Sequence, residues 1–250
     1  MLKYALLGEK LGHSLSPVIH EEIFKTLGLK ATYTLVETSA KGIKKEISKY
    51  DGLNVTIPYK TEVIKHLENL SKEAKEIGAV NTIYKNKGYN TDYFGFGKML
   101  EINEILIKDQ IVYILGTGGA SKAVYQYLKD QKAEKIIFVS RSKKGENIIN
   151  YDALKNKTGD LIINTTPVGM YPNAGISPVS RDMIKKFKCA VDLIYNPFET
   201  EFLSRAKKEG LKTTNGLYML VGQGVKAEEI WQDIEISDDL INEIYLKLKK

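Results

Sequence analysis

Short apolar runs alternate with amphipathic stretches from one end of this chain to the other, and the alternation organises it. Lys3 to Gly8 has the pattern of a buried strand. Ser16 and Pro17 then read as a helix cap and first helical residue, with Ile19, Ile23 and Leu27 on one stripe and Gly28 as the stop. Further strands are predicted at Thr32 to Glu37, Leu53 to Ile57 and Ala79 to Tyr84, with Lys/Glu-rich helices between them. A second series has strands near Gln110 to Leu115, Lys135 to Val139, Asp160 to Asn164, Cys189 to Ile194 and Lys212. Gly216 opens a helix that continues to Trp231, and a last amphipathic helix runs from Asp238 to Leu248. Strands alternating with helices imply parallel sheets covered by helices, so the expected class is α/β.

The most informative segment lies where the second series starts. The strand ending at Leu115 runs into Gly116, Thr117, Gly118, Gly119, Ala120 and Ser121, and then into a helical pattern. A glycine turn between a buried strand and a helix start bares backbone N–H groups, which with the helix dipole suit a pyrophosphate. The third glycine of the usual G-x-G-x-x-G is Ser121 here, which weakens the motif taken alone. After the next strand come Ser140, Arg141, Ser142, Lys143 and Lys144, where an acidic residue would grip the ribose of NAD. A carboxylate there repels a 2′-phosphate and a guanidinium attracts it, so the cofactor expected is NADP.

Ligands of open parallel sheets bind beyond the carboxyl ends of the strands. In the first hundred residues the polar groups at those ends are Ser14 and Ser16, the run Asn54 to Lys60 with Thr56, Asn81 with Thr82, and Asn90 to Asp92. Each also has a plain structural reading: Ser16 and Asp92 as helix caps, Asn81 and Asn90 as turn residues, Lys60 as a solvated lysine. Their convergence on one side of one sheet favours a site. Lys60 and Asp92 are the groups that reversible carbonyl reduction needs besides a hydride source, because a positioned ammonium supplies and retrieves the oxygen's proton.

Composition removes other classes. With 250 residues, 43% of them hydrophobic, the chain can hold two ordinary domains. No uncharged apolar run of about 18 residues occurs, and Met1 to Gly8 is too short for a signal peptide, so a cytoplasmic protein is expected. Cys189 is the single cysteine, read as a buried strand residue, and His13, His20 and His66 lack the spacing of a zinc site, so no metal is expected. The net charge of +6 is spread over lysines interleaved with glutamates, which argues against a nucleic-acid partner.

Eight segments in order, from Gly12 to Gln223, resemble the shikimate dehydrogenases. They are Gly12 to Pro17, Asn54 to Lys60, Gly78 to Thr82, Asn90 to Asp92 with Gly95 and Phe96, Gly116 to Ser121, Asn164 to Met170, Asp192 to Pro197 with Thr200, and Asn215 to Gln223. The resemblance implies NADPH-dependent reduction of 3-dehydroshikimate to shikimate, with Lys60 and Asp92 as the catalytic pair. It implies that Ser14 and Ser16, helped by Tyr195, hold the substrate carboxylate, that Thr56, Asn81, Asp92 and Gln223 bond the ring hydroxyls, and that Asn54 lies close by. It puts Gly116 to Ser121 at the pyrophosphate, Ser140 to Lys144 at the 2′-phosphate, and Leu193 and Gly216 near the nicotinamide. Ser140 departs from the asparagine of many NADP-dependent members, and Lys143 with Lys144 offers a point charge in place of a bidentate grip.

The organisation implied is a substrate domain over 1–100, a Rossmann-like NADP domain over 101–215, and helices from 216 to 250 that return to the first domain so that Gln223 reaches its partners. A monomer or homodimer is expected. A quinate/shikimate dehydrogenase with relaxed cofactor use is the nearest alternative, and a non-catalytic dinucleotide sensor is another.

Overall fold

The computed structural model describes residues 1–12 and 14–249, and the chain divides into two compact units, Met1–Phe96 with Leu220–Lys250, and Gly97–Met219. His13, inside the Gly12 to Pro17 motif, lies outside the described residues.

The first unit contains β1 (Leu2–Gly8), α1 (Ser16–Leu27), β2 (Ala31–Glu37), α2 (Ile43–Ile47), β3 (Gly52–Val55), β4 (Asn69–Leu70), α3 (Lys72–Ile77), β5 (Thr82–Tyr84), β6 (Lys87–Tyr89) and the start of α4 (Asp92–Ile102). Its sheet has the order β2-β1-β3-β5-β6-β4. β1 pairs in parallel with both β2 and β3, whereas β5 runs antiparallel to β3 and to β6. Both faces are covered, because successive β1 side chains go to opposite sides. Ala5 and Leu7 join Ile43, Leu53, Val55 and Val63, while Tyr4 and Leu6 join Phe24, Tyr33, Ala227 and Trp231.

The second unit contains β7 (Ile111–Leu115), α5 (Gly119–Asp130), β8 (Lys135–Val139), β9 (Ile148–Ile149), α6 (Tyr151–Leu154), β10 (Leu161–Asn164), α7 (Arg181–Ile184), β11 (Cys189–Asp192), α8 (Glu201–Lys208) and β12 (Lys212–Thr214). Its order, β12-β11-β10-β7-β8-β9, is parallel throughout and reverses direction between β7 and β10. That is the doubly wound order of a dinucleotide-binding sheet, whose ligand crevice opens at the reversal. The expected α/β class holds for both units.

Two helices complete the chain, α9 (Leu217–Gln232) and α10 (Asp238–Leu248). The Trp231 ring at the end of α9 stacks on Tyr4 with centroids 4.5 Å apart and donates its Nε1–H to the Ile83 carbonyl at 3.0 Å. Gly52 makes this docking possible, since a Cβ there would stand 2.5 Å from Trp231 Nε1. Among the described residues, no helix is long and apolar enough to cross a membrane.

Two local expectations are corrected. Ser16 is not the cap of α1: Leu15 occupies that position, and Ser14 Oγ instead accepts the Ser16 N–H at 3.2 Å. The serine two residues earlier does the work that the Ser-Pro pair suggested for Ser16. The strand predicted over Ala79 to Tyr84 begins only at Thr82, because Asn81 turns its side chain inward to pair with Thr91 and Asp92.

Candidate active site and cofactor cradle

Within the first unit, Ser14 follows β1, Asn54 lies in β3, Thr56 and Lys60 follow β3, and Asp92 opens α4 after β6. Asn81 precedes β5, and because β5 is antiparallel, its amino end lies at the same sheet edge as the carboxyl ends of β3 and β6. One edge thus gathers residues from four strands.

Lys60 Nζ donates to Asp92 Oδ2 at 2.6 Å, with side chains 14% and 9% exposed. The second carboxylate oxygen accepts Asn81 Nδ2 at 3.0 Å. Two charge-assisted bonds therefore fix the carboxylate, and the ammonium keeps donors to spare. The Lys60 carbonyl accepts the Val80 N–H at 2.7 Å, which ties the lysine's backbone beside Asn81. Asn81 Oδ1 accepts the Thr91 N–H at 2.7 Å and the Thr82 hydroxyl at 3.1 Å, so its amide can face only one way.

Behind this group lies a buried layer with no counterpart in the sequence reading. Tyr33, in β2, donates its hydroxyl to Asn54 Oδ1 at 2.7 Å. Burial holds the phenol well above its ordinary pKa, so it stays a donor. Its ring lies on His20 with centroids 4.0 Å apart and planes 8° from parallel, and His20 Nδ1 donates to Glu228 Oε1 at 2.5 Å. Asn54 Nδ2 donates onward to the Asn81 carbonyl at 3.3 Å and to Thr82 Oγ1 at 3.1 Å. Tyr33 looks like a core aromatic in sequence, and 208 positions separate His20 from Glu228, so local pattern gives no signal for the cluster. Gln223, in α9, is buried and donates its side-chain N–H to the Leu220 carbonyl at 2.8 Å.

The second unit carries the other group. Gly116 leaves β7 with φ +101°, a conformation that excludes ordinary side chains, and a Cβ there would press on Thr165 and Thr166 at 3.0 and 2.9 Å. Gly118 caps α5 in an extended conformation, yet a Cβ on it would meet no atom within 4 Å. Its bareness serves no internal packing and leaves the helix N-terminus open, with no acidic residue in the first turn. Ser121 is buried and donates its hydroxyl to the Gly118 carbonyl at 2.7 Å, which is how a serine fits the third glycine position. Thr117 and Ala120 complete the turn.

Beside it, Ser140 Oγ accepts the backbone N–H groups of Lys143 at 3.0 Å and Ser142 at 3.4 Å, folding Ser140 to Lys144 into a tight loop with Arg141 exposed. Lys143 Nζ reaches the Thr117 carbonyl at 3.4 Å, so the basic loop borders the glycine turn. An open helix N-terminus beside an exposed guanidinium fits a pyrophosphate joined to a 2′-phosphate. Leu193 and Gly216 also meet: the Gly216 N–H donates to Ile194 O at 3.0 Å, and a Cβ on Gly216 would stand 2.0 Å from Leu193 O. Tyr195 follows on the same loop.

Asp192 anchors this edge. Its carboxylate accepts Thr200 Oγ1 at 2.7 Å, Asn164 Nδ2 at 3.0 Å and the Ile194 N–H at 3.1 Å. Burial pushes it up to about 6, against the lowering effect of those hydrogen bonds. Cys189 is buried in β11, and burial pushes its thiol up to about 11, as for an inert cysteine.

The chain matches the shikimate dehydrogenase substrate-binding domain over residues 6–83. It is similar to the shikimate dehydrogenase (NADP+) of Clostridium perfringens strain 13, 48% identical over 269 residues with 100% of this chain and 99% of that protein covered. Among solved structures it resembles shikimate dehydrogenase 1 of Peptoclostridium difficile at 48% identity and TM-score 0.93, covering 100% and 98% of the two chains. The Thermus thermophilus shikimate 5-dehydrogenase, in complex with NADP(H) and shikimate, aligns at 31% identity and TM-score 0.87 over 99% of each chain. With this identity sustained along its whole length, the chain belongs to the NADP-dependent shikimate dehydrogenase family.

Proposed function

We propose that this protein catalyses the reversible reduction of 3-dehydroshikimate to shikimate with NADPH, a step toward chorismate and the aromatic amino acids. The single observation that carries the chemistry is the largely buried Lys60–Asp92 pair at 2.6 Å, with its carboxylate pinned by Asn81. When bound, NADPH supplies the hydride that the carbonyl carbon takes up.

In this reading Lys60 gives a proton to the carbonyl oxygen as negative charge develops there, and takes it back when the alcohol is oxidised. Asp92 holds the ammonium in place and accepts a ring hydroxyl. Thr56, Asn81 and Gln223 bond the ring hydroxyls with Asn54 nearby, and Ser14, Ser16 and Tyr195 donate to the carboxylate. Neutral donors suit that role, because a substrate that must leave again is not held by a full charge pair. Gly116 to Ser121 receive the pyrophosphate on open N–H groups, Ser140 to Lys144 receive the 2′-phosphate chiefly through Arg141, and Leu193 with Gly216 borders the nicotinamide.

Absorbance at 340 nm, crossing shikimate and quinate with NADP+ and NAD+, tests the reading. Shikimate with NADP+ should be preferred at least tenfold over each other combination, since one lost charge-assisted contact is worth ~1.5–3 kcal/mol. Equal rates with NAD+ or quinate would favour the broader quinate/shikimate enzyme, and no turnover of shikimate would overturn the assignment.

A further inference from the structure

Asn164 ends β10, beside β7 where the strand order of the second unit reverses, and its side chain is fully buried. Its Oδ1 accepts the Thr166 N–H at 3.0 Å and the Thr166 hydroxyl at 2.7 Å. Its Nδ2 donates to Asp192 Oδ1 at 3.0 Å and to the Val168 carbonyl at 3.3 Å. Two accepted and two donated bonds exhaust an amide, so nothing of this one is left for a ligand. Its orientation has no alternative, because the Thr166 N–H can only donate and an ionised Asp192 can only accept.

Each end of the amide governs a different loop. The oxygen closes the turn after β10, in which Thr166 Oγ1 also accepts the Val168 N–H at 3.2 Å and Thr165 donates its hydroxyl to the Leu115 carbonyl at 2.7 Å. That turn backs onto Gly116, where a Cβ would stand 2.9 Å from the Thr166 methyl. The nitrogen holds Asp192 Oδ1, the same atom that accepts the Ile194 N–H at 3.1 Å, and the Ile194 carbonyl accepts the Gly216 N–H at 3.0 Å.

We propose that Asn164 is a positioning residue for NADP: through one amide it locks the turn behind Gly116 to the corner formed by Leu193 and Gly216, and so fixes the pyrophosphate cradle relative to the nicotinamide border. This rests on the reading that those two places receive the two ends of the cofactor. A leucine here would leave the Thr166 N–H without its acceptor, and an ionised carboxylate could not donate to Asp192.

Asn164→Asp puts an oxygen in place of the nitrogen, facing Asp192 Oδ1. While the two carboxyls share a proton, one still donates to the other and both loops hold. Once both ionise, two buried like charges face each other. The hydrogen-bond partners of Asp192, which are Thr200, Ile194 and Asn164 itself, are neutral, so no other charge masks this step. The NADP+ Kd from titration calorimetry, taken relative to wild type at the same pH to cancel the cofactor's own ionisation, should lie within about threefold at about pH 6. It should weaken about tenfold or more by about pH 9, and a ratio that stays flat with pH would overturn the proposal.

Thr166→Val keeps the shape of the side chain and removes only the hydroxyl, so it reads the link without burying a second charge. It should raise the NADP+ Kd roughly threefold to tenfold, the worth of one net hydrogen bond, with Thr166→Ser within about twofold of wild type. Added to Asn164→Ala, Thr166→Val should cost less than about twofold more, whereas a hydroxyl that touched the cofactor itself would keep its full effect. An unchanged Kd in Thr166→Val, or an equal effect in both backgrounds, would overturn the role of Asn164 and leave the cofactor site standing. Wild-type protein that fails to bind NADP+ would overturn the cofactor site and this proposal with it.

Discussion

Replacing Asp192 by asparagine should stabilise the second unit at neutral pH and destabilise it in acid. The carboxyl lies at 0% exposure and is pushed up to about 6 from an ordinary 3.8. A raised carboxyl disfavours the folded protein once it ionises, because the folded state binds the proton more tightly than the unfolded one. Below pH 3.8 both states hold the proton and the group contributes nothing. Between there and about pH 6 the unfolded chain ionises first and stability falls, by about 3 kcal/mol in all at 1.36 kcal/mol per pH unit. Asparagine carries no such penalty. Its oxygen can still accept from Asn164 and Ile194, but its amide removes the acceptor that Thr200 uses, a loss of about 0.5–1.5 kcal/mol.

The balance makes Asp192→Asn more stable by roughly 2 kcal/mol at pH 7.5 and less stable by about 1 kcal/mol near pH 4. The one tryptophan, Trp231, lies in the first unit, so fluorescence would report the wrong region. Hydrogen exchange at the β10 and β11 amides, followed across pH on wild type and variant, reads the second unit directly. Stability curves that run parallel from pH 4 to 8 would refute the argument.

Lys60→Ala should lower kcat by ~10² or more with shikimate binding within a few fold, and a near-normal kcat would remove its acid/base role. Arg141→Ala should weaken NADPH roughly tenfold to 150-fold and leave NADH unchanged, because only the 2′-phosphate contact is lost; equal losses for both cofactors in a titration would contradict this. Gly216→Ala places a Cβ 2.0 Å from the Leu193 carbonyl, which no rotamer change relieves, so cofactor affinity should drop with little effect on shikimate binding. A wild-type NADPH Kd in that variant would show that the Leu193 backbone yields freely.

Much of the architecture is legible in the residues. Lys135–Val139 and Asp238–Leu248 coincide with their predicted bounds because periodicity alone defines them. The strands Asn69–Leu70 and Ile148–Ile149 were not legible, since each is two residues long and exists through its neighbour rather than any local pattern. The edge where Lys60, Asn81 and Asp92 meet is legible as a gathering of polar strand ends, although the alternation implies a parallel sheet and Asn81 stands just before an antiparallel strand. Ser16 read as a helix cap because a serine before proline resembles one, while the capping acceptor stands at Ser14. The clustering of Tyr33, His20 and Glu228 is not legible, because buried polar partners are assembled by tertiary contact and carry no spacing of their own.

The first unit is assembled from two separated stretches, Met1–Phe96 and Leu220–Lys250, with the second unit encoded between them. During synthesis, then, the nucleotide-binding sheet has all its strands before the sheet carrying Lys60 and Asp92 has its last covering helix. Until α9 arrives, Tyr4 lacks the ring that stacks on it and Gly52 faces an empty slot. The nascent protein can therefore acquire its nucleotide fold early, yet the sheet of the first unit stays uncapped until translation has passed residue 231.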